Sequence, residues 1–350
     1  MPYPVAAARG KNFGSVADPY RVNLVSGLVN YKAALGTYGK ATILVTGDSV
    51  GVGQGASPTT LGWVWLLKAA LETKYGGNAG RYYACFDATE KALWTLGTGW
   101  NYAYASGTGY HFQGDYNYMS GGGALAVTLP GIAFDFYCIR NSSMAGHQVQ
   151  IDSETPFTMG EHAWNWTEEK VTQDGFSSGD HTIVWTSPSG PAFLGGVMAH
   201  LSDTGIILDN LSISGITVSG YLSQTWKLAH RRAAGWDLTI IPLTINDYTN
   251  QTALATYKTQ LEATVDAAQN GGGDALLVAC NPVGTSLTIP YASYAAKMKE
   301  VAEAKVCAFI DMSALYGNFA AWSAAGWMYD NYHPSTTGHA VYFDEIKQWL

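Results

Sequence analysis

Five short apolar runs, each ending in a turn, constrain this chain's fold more than any other feature of its sequence. They cover residues 41–46, 205–215 (strand and turn together), 236–243, 275–280 and 306–312. Helical patterns follow them at 62–75, 223–234, 252–269, 293–304 and 338–350; in the last, Val341, Tyr342, Ile346 and Leu350 recur at helical spacing. Strands that alternate with helices form a mostly parallel sheet, because parallel neighbours need crossovers and the crossovers place helices on both faces. The expected fold class is therefore α/β: a flavodoxin-like, three-layer α/β/α domain with a mostly parallel five-stranded sheet. In such sheets ligands sit beyond the carboxyl ends of the strands, so the turns carrying Ser49, Gly215 and Asn246 should open into one crevice.

The alternation is interrupted between residues 80 and 205 by short alternating runs, Gly-rich turns and dense aromatics. This segment predicts an inserted β-sandwich with strands at 124–129, 132–139, 148–151, 181–186 and 192–200, and a turn over 174–180. The domain organisation is then an N-terminal extension and helix (1–40), a catalytic domain in two pieces (41–79 and 206–350), and the insert (80–205).

Composition narrows the function. Charged residues make up 13% of the chain and the formal net charge is -8, which leaves no basic stripe for phosphates and argues against nucleic acid or an anionic membrane as partner. No stretch of about 18 apolar residues predicts a membrane span, and residues 1–9 lack the pattern of a signal peptide. A soluble protein is expected, with extracellular, cell-surface or virion locations open and oligomeric state unspecified. Cys85, Cys138, Cys280 and Cys307 form no CxxC pair and read as buried apolar residues, although pairing stays open. His111, His147, His162 and His200 show no metal-ligand spacing, so neither metal nor cofactor is expected. His181 reads as the start of a sandwich strand and His339 as a partly buried surface residue of the closing helix.

Ser49 stands where an apolar strand ends and a turn leads toward a helix, which exposes a hydroxyl beside backbone N–H groups. His333 follows Asp330 by three residues, a spacing that brings both side chains to one side of a turn. A nucleophilic hydroxyl needs such a base, and the base needs a group that fixes its tautomer. Taken singly, Gly47-Asp48-Ser49 is an ordinary turn, Asn246-Asp247 a cap, and Gly215 a residue for a positive φ; their order along one sheet carries the inference.

Gly47-Asp48-Ser49-Val50, Asn210-Leu-Ser-Ile-Ser-Gly215, Ile245-Asn246-Asp247 and Asp330-x-x-His333-Pro334 resemble the first, second, third and fifth blocks of the SGNH (GDSL-like) hydrolases, in the same order. The resemblance covers residues 41–79 and 206–350. It implies Ser49 as nucleophile, His333 as base and Asp330 as its orienting acid. It also implies an oxyanion hole from the backbone N–H groups of Ser49 and Gly215 and the side chain of Asn246. Val50 replaces the usual leucine, and Thr244 stands where a glycine normally precedes the asparagine by two, a change expected to crowd the site. The insert resembles, more weakly, the galactose-binding-type jelly rolls of carbohydrate esterases, with Trp100, Tyr116, Tyr118, Trp164 and Trp166 as candidate sugar-stacking residues or core. The expected activity is hydrolysis of carboxylic esters through an acyl-enzyme, on short-chain or O-acetyl esters of an acylated glycan. The alternatives are a broad lipase or arylesterase, and a glycan-binding surface or phage-tail module on the same scaffold.

Overall fold

The computed structural model describes residues 18–84, 93–96, 100–101, 117–120, 124–140, 146–159, 167–186, 191–223 and 235–350. The chain opens with β1 (Arg21–Val22), α1 (Val29–Tyr38), β2 (Lys40–Val45), α2 (Ser49–Val52) and α3 (Trp63–Lys74). Nine strands follow: β3 (Gly80–Ala84), β4 (Trp94–Leu96), β5 (Trp100–Asn101), β6 (Asn117–Ser120), β7 (Ala124–Arg140), β8 (His147–Ile151), β9 (Phe157–Met159), β10 (Thr167–Thr186) and β11 (Pro191–His200). The alternation resumes with β12 (Gly205–Asn210), α4 (Val218–Ser223), β13 (Leu238–Ile241), α5 (Ile245–Thr249), α6 (Leu254–Asn270), β14 (Asp274–Ala279) and α7 (Tyr291–Lys305). It closes with β15 (Ala308–Asp311), α8 (Met312–Leu315), α9 (Phe319–Ala324) and α10 (Thr336–Lys347).

The first sheet runs β1-β15-β14-β13-β2-β12, with five parallel strands and β1 antiparallel at the edge. Numbered along the chain, the parallel strands lie in the order 2-1-3-4-5, the flavodoxin-like winding, with its switch point between β2 and β13. The sheet is mixed rather than five-stranded because two residues pair at β1, too few to leave a periodic signal. Arg21 of β1 is held by a two-pronged ion pair with buried Glu345 of α10, at 2.7 Å for each contact. Alternate strand residues feed two apolar clusters. Ile43, Val45, Leu238, Ile240, Leu276 and Val278 face α1, α3 and α10. Ile241, Ala275, Leu277, Ala279 and Phe309 face α4, α6 and α7. Every residue of β14 is buried, as a central parallel strand covered on both faces requires. Buried Tyr257, Leu261, Thr264, Val265 and Ala268 mark the inner stripe of α6.

The second sheet runs β5-β6-β11-β7-β10-β8-β9, with β3 on β11 and β4 on β7, and the described pairings are antiparallel. Its strands are longer than the sequence suggested. Residues 124–129 and 132–139 are one strand, and the turn expected over 174–180 is an irregularity inside β10, where the pairing register with β7 shifts between Asp174 and Gly179. Burial changes phase at the same level, from Leu125, Val127 and Leu129 to Phe134, Phe136 and Cys138. Phe136 lies 5.7 Å, ring to ring, from Trp185, whose strand partner is Leu125. Eleven extended residues would separate positions 125 and 136 by roughly 36 Å, so the sheet folds over and encloses its own apolar cluster. The strands form one continuous folded sheet; a jelly roll is not established by it. The segment leaves and rejoins the α/β portion at neighbouring points, with Ala79 N–H donating to Ile206 C=O at 2.9 Å and Leu201 N–H to Ala79 C=O at 2.8 Å. Lys40 Nζ, 3.1 Å from His200 Nδ1, joins the two sheets; His200 Nε2 in turn meets Asp135 at 3.0 Å.

Cys138, Cys280 and Cys307 are buried, while Cys85 lies outside the described residues. So do Tyr116, Trp164, Trp166 and residues 224–234, where most of one expected helix falls; α4 ends where that helix was expected to begin. His339, expected near the surface, has no exposed area. No helix among the described residues is long and apolar enough to cross a membrane.

Candidate active site

β2 ends at Val45, and the backbone reverses through Gly47 into α2, which starts at Ser49. Only glycine fits at 47: a Cβ there would lie 2.6 Å from Pro242 and 2.9 Å from Ser212 Oγ. Asp48 caps the helix, its Oδ1 accepting from Val50 N–H at 2.9 Å. Trp63 Nε1 donates to Val50 C=O at 3.1 Å, and His339 Nε2 lies 3.0 Å from Gln54 C=O, so α3 and α10 both brace this turn. Ser49 is 5% exposed, with its hydroxyl oxygen 2.9 Å from His333 Nε2.

His333 comes from the loop before α10. Its Nδ1 lies 2.8 Å from Asp330 Oδ2, while Asp330 Oδ1 accepts from the backbone N–H groups of Tyr332 and His333, each at 2.7 Å. Burial pushes the Asp330 carboxyl upward, but the hydrogen bonds from the His333 ring and the two backbone N–H groups outweigh it and hold the group below the usual carboxylate range. The loop is tied back to the sheet by Asn281, wholly buried just past β14, whose Nδ2 donates to Tyr332 C=O at 2.9 Å. Tyr342 of α10 completes the brace, its hydroxyl donating to Asn281 Oδ1 at 2.9 Å.

The loop after β12 is fastened to the nucleophile turn. Asn210 Nδ2 donates to Gly51 C=O at 2.8 Å, Gly47 N–H donates to Ser212 Oγ at 3.0 Å, and Ile213 N–H donates to Gly47 C=O at 2.9 Å. Gly215 in this loop has φ +79°, a left-handed conformation, with open space where a Cβ would project. Asn246, at the start of α5, donates through Nδ2 to Ile216 C=O at 3.0 Å and to Asp48 Oδ2 at 3.3 Å. Its neighbour Asp247 accepts from Val218 N–H at 2.9 Å, which ties α5 to α4. Burial pushes Asp247 up, and Asp48 up to about 7, the latter with a further push from Asp247. Thr244, expected to crowd the site, is buried with its hydroxyl toward Cys280 N–H at 3.5 Å.

The structure thus brings Ser49, His333 and Asp330 into one hydrogen-bonded line, and links the loops of Gly215 and Asn246 through Ile216. Sequence reasoning did not single out Asn281 or the second carboxylate oxygen of Asp48, and it placed His339 near the surface rather than against the nucleophile turn. Asn210 and Ser212 lay within a recognised block, so that block's polar residues were the available signal. Among the described residues no group of three or more His, Cys, Asp or Glu is placed to hold a metal ion.

Residues 171–341 match the GDSL-like Lipase/Acylhydrolase family. The match includes Gly215, Asn246, Asp330 and His333; Ser49 precedes it, on the far side of the long β segment. Curated protein sequences yield no match. Among solved structures, a peptidoglycan O-acetylesterase superposes with a TM-score of 0.66 at 16% identity, over 95% of this chain and 96% of its own. An acetylxylan esterase from Geobacillus stearothermophilus gives 0.36 at 24% identity over 41% and 72%, and a family two carbohydrate esterase from Cellvibrio japonicus 0.27 at 12% over 77% and 99%. Residues 171–341 thus carry a GDSL-like lipase/acylhydrolase domain, on a fold shared with an esterase.

Proposed function

We propose that this protein is a serine esterase that removes short-chain or O-acetyl groups from carbohydrate through an acyl-enzyme. The observation that carries the reading is the line Ser49 Oγ–His333 Nε2–Asp330, with contacts of 2.9 and 2.8 Å. Asp330 accepts from Nδ1–H, which leaves Nε2 as the acceptor facing the hydroxyl. Ser49 Oγ attacks the ester carbonyl as His333 takes its proton. The oxyanion is met by the N–H groups of Ser49 and Gly215 and the Asn246 amide. The imidazolium protonates the leaving alcohol. Water then attacks the acyl-Ser49, giving its proton to His333, which returns it to Ser49 as the carboxylic acid departs.

Open space at Gly215 supports an acyl site on that side, and a small acyl group suits a nucleophile that is 5% exposed. The structural likeness to a peptidoglycan O-acetylesterase covers 95% of the chain, which supports a glycan as the alcohol. We read residues 80–205 as an inserted domain that presents the polymer.

A fluorophosphonate reagent tests the nucleophile: Ser49 Oγ should displace fluoride and retain the phosphonyl group. Peptide mapping should place the added mass on Ser49, and Ser49→Ala should stay unlabelled. Label on another residue, or equal labelling of Ser49→Ala, contradicts the assignment.

A further inference from the structure

Asp48 has no exposed surface, and both its carboxylate oxygens are engaged. Oδ1 accepts from Val50 N–H at 2.9 Å, which is a helix cap. Oδ2 accepts from Asn246 Nδ2 at 3.3 Å, a contact that capping does not require. The same nitrogen donates to Ile216 C=O, immediately after Gly215, at 3.0 Å. An amide nitrogen has two hydrogens, so both are committed before any substrate arrives. An oxyanion must therefore win one of them, and the longer bond, to Asp48, is the one that yields.

We propose that Asp48 is a positioning residue for ester hydrolysis: it holds the Asn246 amide between the nucleophile turn and the Gly215 loop and surrenders one amide hydrogen to the developing oxyanion. The inference rests on Asn246 serving as an oxyanion donor. Burial favours the exchange, because a carboxyl raised to about 7 is less fully charged and grips a donor less tightly than an ionised one. Ile216 C=O supplies the fixed end, so the amide swings on one bond while the other changes partner.

Two variants separate this role from simple capping. In Asp48→Ser the hydroxyl still caps α2 but no longer reaches Asn246. In Asp48→Asn the size is kept, but one acceptor oxygen must serve two donors. Each variant is assayed for kcat, KM and Tm, alone and combined with Asn246→Ala. Loss of one such bond predicts a fall in kcat of about tenfold with KM unchanged. The same Asp48 change on the Asn246→Ala background should cost nothing further, because the path from Asp48 runs through Asn246. A wild-type kcat in Asp48→Ser overturns the proposal, as do losses that multiply with those of Asn246→Ala. Should Asp48→Asn not fold, Asp48→Ser alone decides. If Asn246→Ala keeps full turnover, the oxyanion reading fails and this inference with it; if Asn246→Ala is impaired and the losses multiply, only this inference fails.

Discussion

At the scale of single residues, the site depends on one imidazole having the right tautomer and the right neighbour. Asp330 meets the first need by accepting from His333 Nδ1, and its own position is fixed by two backbone N–H groups. Those bonds hold the carboxyl below the usual carboxylate range, so protonation of Asp330 should not set the acid limit of activity. Asp330→Asn can present an N–H to the ring and stabilise the wrong tautomer. We expect its kcat to fall by on the order of a hundredfold to ten-thousandfold, with KM little changed and labelling of Ser49 slowed in parallel. Steady-state kinetics check this; a variant with wild-type kcat would contradict the role given to Asp330. That Ser49, Asp330 and His333 stand as candidates was legible in the sequence because each lies in a short local pattern, and the structure brings their side chains together. The link from Asn281 to Tyr332 was not legible, since its partners are 51 residues apart and Asn281 stands in no such pattern.

At the scale of elements, the parallel sheet places its loops and a few buried polar side chains lock them. Asn281, between β14 and the histidine loop, is the clearest lock. Asn281→Ala removes the donor to Tyr332 C=O and the acceptor for the Tyr342 hydroxyl. Leaving such groups unpaired in the interior costs roughly 1–3 kcal/mol each. Thermal unfolding should show the loss, and kcat should fall with it as His333 loses its support. Unchanged Tm and kcat would mean that the loop is held by other contacts. Element positions followed from periodicity where a helix buries one stripe, as in α6, or where a strand is apolar beyond its first residue, as in β14. In β10 the same reasoning failed. The run Asp174–Asp180 is rich in Gly and Ser, which suits a turn and an irregular strand equally, and only pairing with β7 distinguishes them.

At the scale of the whole molecule, buried ionisable groups set opposing pH terms. His147, in the β segment, is 1% exposed, and neither ring nitrogen has a hydrogen-bond partner among the described residues; burial drives it down to about 4. The unfolded chain binds that proton more readily, so the stability His147 contributes is full above about pH 6.5 and is lost as pH falls toward about 4, by up to roughly 3 kcal/mol. Asp48, raised to about 7, acts the other way, losing stability as pH rises through the same range. The His147 term is therefore best read as a difference. His147→Phe should gain Tm relative to the wild type as pH is lowered from 7.5 to 4.5, whereas parallel curves would show that His147 does not titrate on unfolding. Such long-range balances were invisible in the sequence, where a lone histidine in a strand looks the same whether buried or exposed.

The account turns on Ser49 as the nucleophile of an esterase. Release of p-nitrophenol from acetate, butyrate and octanoate esters, followed for the wild type and Ser49→Ala side by side, tests it most directly. The account predicts turnover by the wild type, fastest on acetate, and none above background by the variant. Equal rates from the two proteins would contradict it.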